Sequence, residues 1–238
     1  MPERRLHRAT LPQVSASVST PDYTPHPTAT GVVHLGLGAF HRAHQAMVFD
    51  QLLSEGDSRW GIHGVGMTQP GLVNKLRAQD GLYSVRIAGA TGVEWQVPGA
   101  LWQTSVATTE RPKVLEAIAA KSTRWITLTI TEKGYTPALA QLLIDGLRLR
   151  HANGSGSLGG LTIASCDNLQ GNGHKLKALI HANATPQDAE LMQWMDTHCA
   201  FPCSMVDRIV PAATEEVATA AKEALGLADD CALSTETF

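Results

Sequence analysis

The stretch GVVHLGLGAFHRAHQ, residues 31–45, joins a short apolar run to two closely spaced glycines and then to a helical pattern. Gly36 and Gly38 stand where a strand is expected to turn into a helix. In dinucleotide-binding βαβ units the first such glycine permits the tight turn, and the second lets a pyrophosphate approach the backbone. His41 occupies the place of the third glycine of that fingerprint. The pattern predicts a variant dinucleotide turn, and a glycine-rich corner without a ligand is the alternative.

The polar residues that follow the turn permit several interpretations. His41 and His44 lie three residues apart on the expected helix, but no partner ligands at metal-site spacing accompany them. Capping, packing or phosphate contact is therefore favoured over a metal centre, and we predict no metal. Arg42 is either a phosphate partner or a surface residue.

Composition places the chain among globular proteins with one large or two small domains. Its 238 residues are 43% hydrophobic, which is enough to bury a sizeable core. The formal net charge of -3 offers no basic field for nucleic acid. No apolar run reaches the ~20 residues of a membrane helix, so no membrane partner is predicted. The four cysteines form no CxxC pair, which indicates buried, reduced thiols in a cytoplasmic protein.

Strand-like and helix-like stretches alternate along the chain after residue 30. Strands separated by helices predict an α/β fold, Rossmann-like and doubly wound, whose mostly parallel sheet carries helices on both faces. We expect residues 1–30 to form a poorly ordered or surface-hugging N-terminal arm, 31–230 to form the dinucleotide-binding domain, and 231–238 to begin a linker to a helical domain. Within the domain, apolar spacing predicts a single helix that begins at Ala39 and is ended by Gly56.

The end of the second predicted strand lacks the residue that usually selects the cofactor. A Rossmann fingerprint places an acid there for the adenosine ribose hydroxyls. Here the strand ends in Met67, Thr68 and Gln69, and Arg77 lies one helix away. The residues therefore leave the choice between NAD and NADP open.

Three further groups of polar residues stand at predicted strand ends or in apolar stretches. Glu132 and Lys133 follow a buried strand, so they either face the ligand crevice or belong to a solvated loop. Asp167 and Asn168 end another strand, where an Asn amide could stabilise a substrate oxygen during hydride transfer, or could cap the next helix. Asp207 lies beside an arginine, and a structural ion pair is the alternative to a ligand contact.

Taken in this order, the segments resemble the polyol-specific long-chain dehydrogenase/reductase family. The matching strings are VHLGLGAFHRAHQA, TITEKGY, SCDNLQGNGH and FPCSMVDRIVPAAT. The resemblance covers residues 31–238 and is nearest to the fructuronate reductases (mannonate oxidoreductases) within that family. Four long motifs in the right order are far more specific than the Gly-x-Gly turn alone.

The resemblance implies an NAD-linked, metal-independent interconversion of a secondary alcohol and its ketone. D-mannonate and D-fructuronate are the expected pair, and mannitol and fructose are the alternative. The family's dinucleotide loop falls on Gly36, Gly38, Ala39, Phe40, His41 and Arg42. The resemblance also assigns Asn168 to the reacting oxygen, Glu132 to the surroundings of the catalytic centre, and Asp207 to the substrate site. Lys133, beside Glu132, is a further candidate for substrate binding.

One departure from the family's pattern concerns catalysis. The general base implied by the resemblance is a lysine in a K-x4-N-x2-H motif on a helical C-terminal domain, and none of the seven lysines here has that spacing. We therefore expect this chain to be the nucleotide-binding half alone, with negligible turnover. A separate C-terminal helical domain is the expected partner, and a non-catalytic dinucleotide-binding remnant is the alternative.

Overall fold

The computed structural model describes residues 4–90, 92–158, 160–206 and 209–237. The strands are β1 (Val32–Leu35), β2 (Ile62–Gly66), β3 (Val85–Gly89), β4 (Gly92–Gln96), β5 (Leu101–Val106), β6 (Trp125–Leu128), β7 (Leu161–Ser165), β8 (Cys199–Ala200) and β9 (Leu233–Glu236). The helices are α1 (Ala39–Ala43), α2 (Gln45–Ser54), α3 (Gly71–Ala78), α4 (Arg111–Ala119), α5 (Pro137–Ala152), α6 (Asn172–Asn183), α7 (Ala189–His198) and α8 (Glu215–Leu225). Across these ranges, no helix combines the length and the hydropathy that crossing a bilayer requires.

Six strands form one parallel sheet in the order β5-β2-β1-β6-β7-β8. Val32 of β1 pairs with Ile62 of β2 on one side and with Trp125 of β6 on the other. The chain therefore builds outward from β1 in both directions, and the order reverses between β1 and β6. The predicted Rossmann-like α/β fold is confirmed.

Helices cover both faces of this sheet because successive strand residues point to opposite sides. Val33 belongs to the core cluster that also contains Ile118 of α4 and Leu143 of α5. Its neighbour Val32 belongs to the cluster on the other face, which contains Phe49 of α2 and other residues of α2 and α3. Both valines are fully buried, as expected for a central strand of a parallel sheet.

A second, three-stranded sheet in the order β4-β3-β9 lies beside the Rossmann unit. The stretch 93–101, whose sequence fits either a strand or a hairpin arm, contains most of β4, which pairs antiparallel with β3. The expectation that 231–238 begins a linker is wrong for its described part, because β9 pairs parallel with β3. Strands β5, β8 and β9 were not predicted.

The N-terminal arm is packed rather than poorly ordered over its described residues. Leu6 and Val18 are buried in a cluster with Leu82, Val97 and Leu225. Backbone hydrogen bonds also tie the arm to the chain's end, with the amide of Leu6 donating to the carbonyl of Ala228. Of the two alternatives for the arm, disorder is wrong for the described residues, because its few apolar side chains pack against residues that are distant in sequence.

The helix after the glycine turn is broken, whereas the sequence predicted a single helix. His44 adopts φ -125° and ψ -89°, which ends α1 and allows α2 to begin at Gln45. The break lets α1 direct His41 and Arg42 into the protein interior, where they are almost fully buried. Helix α2 ends at Ser54, close to the predicted stop at Gly56.

Candidate functional site

A cleft runs along the carboxyl ends of the central strands, where open α/β sheets bind ligands. It consists of two adjoining cavities of about 520 Å³ and about 880 Å³. Both cavities are lined by Gly36 at the end of β1 and by Thr129 and Thr131 after β6. The cleft therefore lies at the point where the strand order reverses.

The glycine turn forms one wall of the smaller cavity. Gly36 has φ +96°, and a Cβ atom there would lie 2.1 Å from the carbonyl oxygen of Thr129, so only glycine fits. Gly38 is different, since its Cβ would meet only the Gly36 carbonyl oxygen, at 3.5 Å. Gly38, Ala39 and Phe40 line the same cavity. The turn thus combines one glycine that the fold requires with one that leaves space for a ligand.

The two histidines of the turn and its strand pack against each other. The rings of His34 and His41 are stacked with their centroids 3.4 Å apart, and both side chains are fully buried. The ring nitrogens of His34 hydrogen-bond to the hydroxyls of Thr127 (2.8 Å) and Thr129 (2.9 Å). Burial lowers the pKa of His41 to about 3, so its ring is neutral at physiological pH. Of the interpretations left open for His41, packing is the one that the structure shows.

Arg42 is directed away from the cleft. Its guanidinium donates to the carbonyl oxygens of Gly38 (3.2 Å) and Cys231 (2.7 Å). It also lies 5.1 Å from the ring centre of Tyr83. Only 4% of the residue is exposed. The side chain therefore joins the turn to the C-terminal segment, and the surface position that the sequence left open is not seen.

The loop after β6 has an unusual backbone. Thr131 adopts φ +62° and ψ 166°, a conformation populated almost only by glycine and costing about 1–3 kcal/mol in other residues. Its amide and that of Ile130 donate to the same carboxylate oxygen, Oδ1 of Asp167, at 2.7 Å and 2.8 Å. Oδ2 accepts from the hydroxyl of Tyr135 at 3.1 Å. Burial raises the pKa of Asp167.

Asn168 lies beside the glycine turn on the wall of the smaller cavity. It is exposed and makes no hydrogen bond with another residue of the described ranges. The alternative role as a helix cap is not seen, because α6 begins at Asn172 after Gly171. A structural role falls to Asn172 instead. Its side-chain amide donates to the carbonyl oxygens of Asp167 and Ser204, both at 3.0 Å.

The structure separates Glu132 and Lys133 from Asn168. Glu132 and Lys133 lie on an exposed 3-10 turn, and Lys133 lines the larger cavity together with Thr68 and Gln69. Glu132 lines neither cavity. Asp207 lies outside the described residues.

The larger cavity has the charge expected for an anionic ligand. Arg111 and Lys133 line it, and no carboxylate lies on the part of its wall that the structure describes. Arg111 is partnered by Asp145. Arg77, the other arginine considered for this region, is turned toward Glu110 at 2.6 Å and does not line the cavity.

Sequence reasoning missed several residues of the cleft. Thr129 and Thr131 line both cavities, and Cys166 lines the smaller one, where its sulfur accepts from the Gln45 amide at 2.7 Å. Glu132 and Lys133 were selected because they are polar residues that follow a buried strand. Thr129 and Thr131 meet the same condition, so they could have been found. No sequence signal marks the backbone conformation of Thr131.

Comparison with known proteins identifies the family and its extent. Residues 30–238 match the family described as the mannitol dehydrogenase Rossmann domain. The chain is 35% identical to D-mannonate oxidoreductase of Escherichia coli K12, covering 96% of this chain and 52% of that protein. It is 32% identical to mannitol 2-dehydrogenase of Cereibacter sphaeroides, covering 94% and 52%. The chain spans about half the length of these curated relatives.

Solved structures agree with this assignment. The ternary complex of Pseudomonas fluorescens mannitol 2-dehydrogenase with NAD and D-mannitol superposes with a TM-score of 0.89 and 30% sequence identity. That match covers 98% of this chain and 53% of the other. A D-sorbitol dehydrogenase in substrate-free form matches with a TM-score of 0.85 and 31% identity.

Proposed function

The chain belongs to the mannitol dehydrogenase family, and from this premise we propose that it is the dinucleotide-binding half of an NAD-linked oxidoreductase. The observation that carries the proposal is the cleft at the reversal of strand order, with Gly36 and Gly38 on its wall. Ligands of open α/β sheets bind in this position. The substrate oxygen and the cofactor would meet between the turn and Asn168.

The residues of the cleft fit a dinucleotide. Gly36 allows the turn to pass against Thr129, and Gly38 leaves room for a pyrophosphate beside the backbone. Lys133 supplies positive charge to the larger cavity, whose wall also includes Arg111 with its partner Asp145, and Thr68 and Gln69 offer neutral hydrogen bonds to a ribose. NAD, when bound, accepts a hydride from the substrate carbon. NADP is the second candidate, because no acid at the end of β2 would repel a 2′-phosphate.

The proposed substrate is a sugar acid or polyol that carries a secondary alcohol. Asn168 would donate its amide hydrogens to the reacting oxygen and stabilise negative charge there as the hydride leaves. D-mannonate and D-fructuronate are the favoured pair, because D-mannonate oxidoreductase is a relative at 35% identity over nearly the whole chain. Mannitol and fructose are the second pair. We retain Asp207, Lys133 and Glu132 as candidates on the family resemblance.

A general base is the missing part of this proposal. None of the seven lysines has the K-x4-N-x2-H spacing, and a positioned base contributes about 10²–10⁴-fold to such a reaction. We infer that residues 1–238 by themselves turn over negligibly and need a helical domain that supplies the base, and that the protein works in the cytoplasm, where Cys166 and Cys231 stay reduced. Assaying mannonate oxidation by the purified 238-residue chain checks this. Turnover at rates typical of dehydrogenases would contradict the inference. Dinucleotide binding without turnover would fit both this inference and a non-catalytic dinucleotide-binding remnant.

Dinucleotide binding itself is tested by titrating NADH into the full chain and following its fluorescence. We expect saturable binding that Gly38→Ala weakens about tenfold or more, because the new methyl group takes the space left for the pyrophosphate. The melting temperature should stay the same, since that methyl group meets only one backbone oxygen.

Gly160→Ala is the matched control for this titration. A Cβ at Gly160 also meets a single backbone oxygen, that of His198 at 3.5 Å, but Gly160 is remote from the cleft. We expect its NADH affinity to equal that of the parent chain. Equal affinities for all three chains would contradict the proposed site.

A further inference from the structure

We propose that Asp167 is a positioning residue that holds the backbone of residues 130 and 131 in the shape that the cofactor cleft requires. The inference rests on the proposed dinucleotide-binding function. The carboxylate joins the two loops that follow neighbouring strands, β6 and β7. Both loops line the smaller cavity, Thr131 from the loop after β6 and Asp167 and Asn168 from the loop after β7.

Within the loop after β6, the carbonyl oxygen of Thr131 accepts from the amide of Gly134 at 3.0 Å, but the amides of Ile130 and Thr131 bond outside the loop, to Asp167. Thr131 is exposed, and its side chain does not cap the 3-10 turn that begins at Glu132. Its φ of +62° with an extended ψ is unfavourable for a β-branched residue. Such a conformation persists only where the surroundings impose it. The amides of Ile130 and Thr131, both bound to one carboxylate oxygen of Asp167, supply that constraint.

Asp167 is itself fixed from several sides. Its amide donates to the hydroxyl of Ser165 at 3.3 Å, and its carbonyl oxygen accepts from the Asn172 side chain at 3.0 Å. The second carboxylate oxygen accepts from Tyr135, whose hydroxyl also contacts that of Ser165. Only 7% of Asp167 is exposed. A rigid acceptor is therefore presented to a loop that would otherwise relax.

Asp167 affects the cleft through two residues of its wall, Thr131 and Asn168. Thr131 lines both cavities, so its backbone shapes the boundary between them. Asn168, the residue proposed to contact the substrate oxygen, directly follows Asp167. A change at Asp167 would therefore displace both walls of the smaller cavity.

The experiment compares NADH dissociation constants and melting temperatures of the parent chain, Asp167→Ala, Asp167→Asn and the double variant Asp167→Ala/Thr131→Gly. Asp167→Ala removes the acceptor, and we expect NADH binding to weaken about tenfold. Asp167→Asn keeps one oxygen for both amides, so we expect affinity within about threefold of the parent. In the double variant, glycine adopts the observed backbone without the carboxylate, so affinity should recover to within about threefold of the parent.

The rescue by glycine separates positioning from general stabilisation. Loss of a merely structural carboxylate would lower the melting temperature and leave NADH affinity unresponsive to Thr131→Gly. An unrescued double variant, or equal losses in Asp167→Asn and Asp167→Ala, would overturn the inference. If Asp167→Ala aggregates, the double variant decides, because we expect it to fold and bind NADH, and its aggregation would also overturn the inference. Absence of NADH binding by the parent chain would refute the proposed function instead.

Discussion

His41 explains how this turn works without the third glycine of the dinucleotide fingerprint. That glycine usually permits close packing between the strand and the helix of the turn. Here the planar ring of His41 in α1 stacks on the ring of His34 in β1, with centroids 3.4 Å apart. A flat stack of two neutral rings replaces the contact of small residues. The substitution depends on both rings staying uncharged.

Buried neutral histidines make stability depend on pH. His63 is almost fully buried, as are His34 and His41. Its ring hydrogen-bonds to the hydroxyl of Ser105 at 2.8 Å. Burial lowers the pKa of His63 to about 4. Since an unfolded histidine takes up its proton near pH ~6.5, the unfolded chain binds more protons between these values. The free energy of unfolding should therefore fall as the pH falls from about 6.5 to about 4.

The variant His63→Gln checks this sign by urea unfolding at about pH 7 and about pH 5. The parent chain should lose more unfolding free energy between about pH 7 and about pH 5 than His63→Gln does, and the difference should be about 2 kcal/mol. His174→Gln, which makes the same substitution at an exposed position on α6, serves as the control. An equal loss in the parent chain and in His63→Gln would contradict the assignment.

At the scale of elements, the sequence predicts those whose signals are local. The amphipathic spacing of residues 137–152 predicts a helix, and α5 covers the same residues, with Pro137 in its first turn and the Thr136 side chain as its cap. The buried strand β6 was likewise predicted from its β-branched run, within the stretch 124–131. The sequence predicts whether a segment is a helix or a strand wherever its apolar periodicity and its end residues indicate the same element.

The elements that were missed depend on contacts between distant residues. Strand β9 is held by the buried carboxylate of Asp229, which accepts from the Gln79 side chain and the Ser84 amide, more than 140 residues earlier. Arg42 adds a bond to the carbonyl oxygen of Cys231. No local pattern in residues 231–238 indicates a strand, so the pairing of β9 with β3 could not be predicted. The same reason explains the packed N-terminal arm.

At the scale of the whole molecule, topology explains why part of the cleft could be located from sequence. Parallel strands bring their carboxyl ends to one edge, so Gly36, after β1, and Asn168, after β7, reach the same cavity although they are distant in sequence. The positions of Arg42 and Glu132 could not be derived this way, because side-chain direction depends on neighbours. Asp167 is recognisable in the sequence as a strand-end residue, but its hold on Thr131 requires the three-dimensional structure.

A cavity outside the cleft is similar in volume to the smaller of the cleft's two cavities, so the two places must be compared as sites for the dinucleotide. It measures about 490 Å³, lies at the amino end of β5, and is lined by Arg8, Asp80 and Trp102 among others. Residues of the arm contribute to its wall, and no part of the glycine turn does. We therefore place the dinucleotide in the cleft and not in this cavity.

Hydrogen–deuterium exchange of the full chain, with and without saturating NADH, tests the location most directly. We expect NADH to protect the backbone amides at residues 36–40, 67–69 and 129–131, which line the cleft, and to leave those at 101–104 unchanged. Protection confined to 101–104 and the arm around Arg8, or no protection anywhere at saturating NADH, would contradict the assignment of this cleft as the dinucleotide site.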